Sequence, residues 1–457
     1  MNMSKKTPLT ALCSVLVSTA CSTLPQATAI PPNPQPVLVD EQGPVSQEQA
    51  QSEVEQAAQQ APNPEVHEDL LKATGFLSEV PLYQNNRAEL LVDGPATYAA
   101  MQVAIAGAKS HIFLETYIFA DDEVGQKFAQ TLMKKAAEGV EVRIIYDSIG
   151  SIGSKNDFFR KMEDSGIRLI EFNRLNPLAG GNPLKANTRD HRKLLTVDGR
   201  VAFTGGLNYS STYSSSSPRH PTQIDLSDGW RDTHVAILGP AVEGFERIFE
   251  QQWLSQDGTE NELEKITPET GRQGDELVAV MQSQGGDGRE SAIYRAYLEA
   301  IDRAEDRIWI TQAYFAPDKQ FITSLQQAAI RGVDVRVLVP GFTDSSLVLN
   351  ASRSRYGKLL KHGVKIYENT SSVLHAKTAV IDSSWSTVGS SNLDYRSFLH
   401  NDEINAIIFG KDFALQMERQ FKADIKNSRA VTMQEWKKRP LGDKLKEFFS
   451  WTLEYWL

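Results

Sequence analysis

From Ala99 onward, apolar residues recur along the chain with two alternating spacings. "HIFLETYIF", "VEVRIIYD", "RIWITQAYF" and "VDVRVLVP" are short, β-branched and aromatic, which predicts strands. The stretches between them place apolar residues three and four apart, which predicts amphipathic helices. Strands alternating with helices form βαβ units, whose sheet is parallel or mixed and covered by helices. The predicted class is α/β.

The pattern occurs twice. Ala99–Asp147 and Ala292–Pro340 each read helix, apolar strand, helix, Gly, apolar strand, and "SGIRLIEFN" is answered later by "HGVKIYEN". Two such repeats predict a pseudo-symmetric pair, at residues 66–262 and 263–430.

The chain before the first repeat has a different composition. Lys5 and Lys6 precede a mostly apolar stretch, Pro8 to Ala20, too short to span a bilayer as a mature helix. Residues 1–21 read as a bacterial export signal with two competing processing sites. "STAC" resembles a lipoprotein signal that would leave Cys21 acylated, although Ser18 stands where an aliphatic residue is usual. The rival is Ala27-Thr28-Ala29, an ordinary secretion site. The expected location is the bacterial cell envelope, membrane-associated, lipid-anchored through Cys21 and facing the periplasm. Cys13 is the one other cysteine, so no disulfide is expected in the mature chain. Residues 22–65, rich in Pro, Gln, Ala and Glu, read as a disordered tether, with "SQEQAQSEVEQAAQQ" transiently helical at most. No later stretch is long and apolar enough to cross a membrane.

The net charge of −10 argues against broad nucleic-acid binding, which needs a basic surface, and leaves room for a local basic site. Such a site is visible in one duplicated motif. His191 is followed by Lys193, Asp198, Gly205 and Asn208, and His375 by Lys377, Asp382, Gly389 and Asn392 at the same offsets. Residues two apart on a strand share a face, so each His projects with its Lys. Asp198-Gly199 reads as a hairpin turn, and the returning strand brings Asn208 or Asn392 back beside the His/Lys end. Asp198 and Asp382 carry two readings, members of the catalytic set or turn formers.

Joined, the halves would surround one pocket with paired His, Lys and Asn, a set suited to a phosphate diester. Lys and Asn can hold the non-bridging oxygens, one imidazole can attack phosphorus, and the other can protonate the leaving alkoxide. No metal and no cofactor is expected, because no histidine falls in a recognisable ligand cluster. A carboxylate should orient each histidine. Glu403 lies 28 residues after His375, and its counterpart Asp232 lies 41 after His191. The difference of 13 falls on the polar stretch "SSTYSSSSPRHPTQIDLSDG", either an access loop or a neutral surface loop. His234 and Asn405 read as supporting residues.

These motifs carry a resemblance. Two H-x-K-x4-D motifs, each followed by G-x-x-N, resemble the phospholipase D superfamily. "HRKLLTVDGRVAFTGGLN", "HAKTAVID" and "VGSSNLDYRSFLHNDEINAIIF" are similar to its bacterial cardiolipin synthases, over Leu90 to Phe421. The resemblance implies two repeats, each a mixed β-sheet flanked by helices, packed as a pseudo-twofold pair with one shared active site. It implies a phosphatidyl-histidine intermediate, with His191 as nucleophile and His375 as general acid/base by the family's usual pattern. The residues themselves do not break that symmetry. The implied partners are phospholipids (phosphatidylglycerol as acceptor, and phosphatidylglycerol or phosphatidylethanolamine as donor) and the membrane surface. A hydrolase giving phosphatidic acid would use the same residues, and a phosphodiester nuclease or a silent scaffold fits less well. Many family members carry two N-terminal transmembrane helices. This chain has an export signal and tether instead, which leaves its compartment and lipid supply open.

Residues 431–457 form an amphipathic tail. A helix after Pro440 would align Leu445, Phe448, Phe449, Thr452 and Trp456, with Lys437, Lys438, Arg439, Lys444 and Lys446 nearby. It would lie on anionic lipid or pack on the domain. Oligomeric state is not legible.

Overall fold

The computed structural model describes residues 34–453 apart from 60, 62, 79–80, 175–186, 216–228, 257, 259–270 and 287, together with 24, 30 and 31. The export signal, Cys21 and Trp456 lie outside the described residues.

The chain opens with β1 (Leu38–Asp40), β2 (Gly43–Pro44), α1 (Gln47–Gln59) and α2 (Pro64–Leu77). The first half continues through β3 (Leu82–Val92), α3 (Asp93–Gly107), β4 (His111–Thr116), α4 (Glu123–Ala137), β5 (Glu141–Asp147), α5 (Asn156–Asp164) and β6 (Arg168–Phe172). It then forms β7 (Arg189–Asp190), β8 (Lys193–Val197), β9 (Val201–Gly205), β10 (Thr233–Leu238) and α6 (Val242–Ser255). The second half runs β11 (Glu276–Ser283), α7 (Ala292–Arg303), β12 (Arg307–Gln312), α8 (Lys319–Arg331), β13 (Asp334–Pro340), α9 (Ser346–Lys361) and β14 (Lys365–Asn369). It ends with β15 (Lys377–Ile381), β16 (Trp385–Gly389), α10 (Tyr395–Leu399), β17 (Asn401–Phe409), α11 (Lys411–Lys426), β18 (Ser428–Val431), α12 (Met433–Lys437) and α13 (Leu441–Thr452).

The strands order as β6-β5-β4-β8-β9-β10-β3 in the first half and β14-β13-β12-β15-β16-β17-β11 in the second. In each half the first three strands are parallel and the rest antiparallel. Parallel neighbours need a crossover, which the helices supply. Helix ends follow the local chemistry: Asp122 accepts from the Gly125 N–H to cap α4, Asp318 caps α8, and Gly332, with φ of 100°, ends α8.

β3 and β11 pair antiparallel, so one sheet runs through both halves. The core between them draws Val235, Ile237, Phe245 and Phe249 from one half and Val278, Val280, Ile404 and Phe413 from the other. That shared core aligns the His/Lys ends of the two sheets. The outer faces are closed by helices, with Phe128, Leu132 and Phe158 packing on Ile112 and Ile144, and Tyr297 and Leu325 on Ile308 and Val337.

The expected tether is partly folded, which corrects the reading of residues 22–65. β1 pairs with β3, and α1 buries Ala50, Val54 and Ala58. These three sit four residues apart on one helical face, a narrow apolar stripe hidden in a Gln/Glu-rich composition. α2 packs into the second half's core through Leu70 and Leu71, so the first repeat does not begin at residue 66.

Candidate active site

Each histidine sits immediately outside a strand. His191 precedes β8 and His375 precedes β15, and the side chains of Lys193 and Lys377 begin those strands. Each lysine folds back onto its own motif: Lys193 Nζ donates to the His191 carbonyl at 2.7 Å, and Lys377 Nζ donates to the His375 carbonyl. Both lysines are fully buried.

The backbone then ties each histidine to the opposite repeat. The His191 N–H donates to the Asp402 carbonyl at 2.9 Å, and the His375 N–H donates to the Arg231 carbonyl at 2.8 Å. The next residue in each case is the orienting carboxylate. His191 Nδ1 lies 3.0 Å from both oxygens of Glu403, and His375 Nδ1 lies 2.8 Å from Asp232 Oδ2. The sequence reading grouped Asp232 with His191 and Glu403 with His375 by distance along the chain. In space the partners are exchanged. Both carboxylates are inaccessible to solvent. With Nδ1 engaged, each ring presents Nε2 to substrate.

The supports of the two carboxylates differ. Glu403 accepts from the Ser390 hydroxyl at 2.5 Å and the Ser397 hydroxyl at 2.8 Å. Asp232 instead lies against Gly206, where a Cβ would stand 2.1 Å from its Oδ1. Gly206, directly after β9, is therefore a requirement of close approach. His234 accepts from the Leu207 N–H at 3.3 Å, and Asn405, at the equivalent place, accepts from the Ser391 N–H at 3.2 Å. Both support the strand ends behind the pocket.

Burial pulls the His191 imidazole down to about 4, against the opposing pull of Glu403, and it lowers His375 as well. Burial lowers Lys193 to about 7 and Lys377 to about 8, with Glu403 and Asp232 respectively opposing most strongly. Burial works against the Glu403 carboxylate, but the His191 ring, Lys193 and Ser390 together hold it below its ordinary value. Neutral imidazole beside ionised carboxylate is the state a nucleophilic histidine needs.

A cavity of about 370 Å³ opens over this centre, lined by His191, His375, Asn208 and Asn392. Asn392 Oδ1 makes no hydrogen bond among the described residues. Asn208 is held: its Oδ1 accepts from the Ile118 N–H at 3.2 Å, and its Nδ2 donates to the Tyr213 hydroxyl at 3.1 Å.

Asp198 and Asp382 are not brought to the cavity. The Asp198 carboxylate accepts from the backbone N–H groups of Lys109, Ser110 and His111, and Asp382 from those of Glu305, Asp306 and Arg307. Five residues of strand separate each from its lysine's end. They tie the hairpin to the N-terminus of β4 or β12, as the turn-former reading expects. Asp198 and Gly199 both have positive φ, at 53° and 62°.

Several lining residues were missed in the sequence. Tyr213 follows Asn208 by five residues, and its hydroxyl lies 3.4 Å from His375 Nδ1. Trp230 and Tyr314 set their rings 5.3 and 6.5 Å from the His375 ring, and Tyr117 lies 5.2 Å from His191. Tyr213 lies near the start of the polar stretch and Trp230 directly follows it, and its residues 216–228 lie outside the described ones. Aromatic residues at both ends of an insertion beside a catalytic motif were the available signal. Among the described residues, no group of His, Cys, Asp or Glu is arranged to hold a metal ion.

A duplicated mixed sheet with one His/Lys site shared across the repeats defines a phospholipase D-type protein. The Haemophilus influenzae phosphatidylserine synthase crystal structure has the same fold, with a TM-score of 0.61 at 13% identity over 84% of this chain and 99% of that one. The family model described as cardiolipin synthase, PLD-like domain, matches residues 101–218 and 297–425. A cardiolipin synthase of Geobacillus sp. (strain WCH70) is 34% identical over 88% of this chain and 78% of its own length. One from Listeria monocytogenes serotype 4a (strain HCC23) is 35% identical over 85% and 79%. The chain belongs to this cardiolipin synthase family.

Proposed function

We propose that this enzyme is a phosphatidyltransferase that makes cardiolipin, passing a phosphatidyl group to phosphatidylglycerol through a phosphohistidine. The observation that carries the reading is the pair of histidines, each held at Nδ1 by a buried carboxylate of the opposite repeat, at one cavity. His191 Nε2 attacks phosphorus as the bond to the leaving alcohol breaks, and His375, entering this step as an imidazolium paired with Asp232, gives that oxygen its Nε2 proton and is left neutral. His375 then takes a proton from the acceptor hydroxyl, whose oxygen attacks phosphorus as the P–N bond breaks. Lys193, Lys377 and Asn392 would hold the non-bridging oxygens, where a buried cation counts for more than in water. Asn208 would do so through its position beside Tyr213.

The substrates reside in a bilayer, so the enzyme works at a membrane surface in the bacterial envelope. Among the described residues no helix is long and apolar enough to cross a membrane. Anchoring through an acylated Cys21, facing the periplasm, belongs to the same proposal.

The test is a product assay in vesicles of phosphatidylglycerol with and without phosphatidylethanolamine. Cardiolipin with released glycerol or ethanolamine supports the proposal and names the donor. Phosphatidic acid alone makes the enzyme a hydrolase. No lipid product from folded protein rejects both. His191→Ala and His375→Ala should each abolish turnover.

A further inference from the structure

Helix α13 is amphipathic with its faces reversed. Its buried residues are Glu447 and Ser450, while Leu441, Leu445, Phe448, Phe449, Trp451 and the following Leu453 are exposed, Leu441 at 77% and Phe449 at 65%. Leu441, Leu445, Phe448 and Phe449 follow the spacing of a single helical stripe. Elsewhere on the described surface, large exposed apolar residues stand singly or far apart along the chain. The inward face is fixed by Arg439, which donates to both Glu447 oxygens at 2.9 and 2.8 Å, and by packing along α9. The outward face is therefore held in place.

The surroundings select the occupant. Lys437, Lys438, Lys444 and Lys446 are exposed around the stripe. Among the described residues, the acids of the same segment are engaged: Glu447 by Arg439, Asp443 by Lys446 at 3.7 Å, and Glu435 in the capping box of α12. The net-acidic chain thus carries, at this helix, an aromatic-rich stripe with four exposed lysines around it, while Glu447 is turned inward. A second copy placed face to face on it would bring lysine against lysine, with each described acid of the segment already engaged. An anionic bilayer satisfies both the charges and the rings.

We propose that α13 is a membrane-docking helix for anionic lipid. It packs on α9, the helix whose first turn carries Val348 of the cavity lining. The proposal does not depend on which lipid reaction the site performs.

The experiment uses the full chain carrying Cys21→Ser, which removes any acyl anchor. Cosedimentation is measured with phosphatidylglycerol-containing vesicles and with pure phosphatidylcholine vesicles. Turnover is measured separately on monomeric dihexanoyl phosphatidylglycerol. Phe448→Ser with Phe449→Ser should weaken vesicle binding at least about tenfold and leave turnover of the soluble lipid unchanged. Lys444→Gln with Lys446→Gln should weaken only the anionic-vesicle binding, and less so in high salt. Unchanged vesicle binding in both variants overturns the docking role. A phenylalanine variant that loses self-association but keeps vesicle binding makes the patch a dimer interface. Should that variant melt early, the lysine variant decides alone, with unchanged binding at low salt overturning the proposal. No turnover of soluble lipid by the parent protein would count against the proposed reaction and not against docking.

Discussion

Asp232, at the start of β10 in the first repeat, accepts the Nδ1–H hydrogen bond of His375 in the second repeat at 2.8 Å. Its mirror, Glu403 to His191, crosses the other way. Each repeat thus supplies the histidine of one half-site and the orienting carboxylate of the other.

Asp232→Asn and Glu403→Gln should each lower kcat by about 10²- to 10⁴-fold with little change in KM, as loss of an orienting carboxylate does in other histidine-based sites. A donor whose leaving group is p-nitrophenol, which needs no proton to depart, separates them: Glu403→Gln should still slow phosphohistidine formation, and Asp232→Asn should slow it far less. Equal slowing of both variants with that donor would refute the assignment of His191 as nucleophile.

Gly206→Ala puts a methyl group where the Asp232 carboxylate rests, at 2.1 Å from Oδ1. The expected outcome is a kcat loss approaching that of Asp232→Asn in a protein that still folds. The same activity as wild type would show that Asp232 can move without consequence. Ser390→Ala, which removes one of several hydrogen bonds to Glu403, should cost about tenfold or less.

Asp198→Ala strips the shared acceptor from three backbone N–H groups. It should destabilise by about 1–3 kcal/mol, seen as a lower Tm, with turnover per folded molecule nearly intact. A loss of turnover as large as that of His191→Ala, without a drop in Tm, would return Asp198 to the catalytic set.

Burial disfavours the ammonium of Lys193 and of Lys377 and lowers them to about 7 and about 8. A phosphodiester binds the protonated forms, so affinity is full below these values and is lost as pH rises through them. Binding of dihexanoyl phosphatidylglycerol to His191→Asn should therefore weaken from about pH 7 upward, and the bound anion should move the alkaline limb of kcat higher than that of binding. A dissociation constant that stays flat from about pH 6 to pH 9 would remove the lysines from phosphate recognition.

Much of the fold and site was legible because it was written twice. The repeated strand periods, the paired His-x-Lys and the offsets to Asn208 and Asn392 locate the pocket without any coordinates. The exchange of Asp232 and Glu403 was not legible, since distance along the chain favours the partner in the same repeat and only the docking of the two sheets reverses it. Asp198 and Asp382 share the motif's spacing, yet a strand has two ends, and theirs is the far one. The Ala50, Val54 and Ala58 stripe was masked by the polar composition around it. Tyr213 and Trp230 belong to no repeated pattern, because the insertion between them has no counterpart in the second half.

The exchange of carboxylates also orders events in biosynthesis. A ribosome that has finished only the first repeat has made His191, Lys193 and Asp232, but neither Glu403 nor the strand that holds the His191 backbone. The nascent half therefore holds no complete pair of histidine and orienting carboxylate. Both pairs form only when the second sheet docks, so assembly of the proposed site is itself a readout of completed folding.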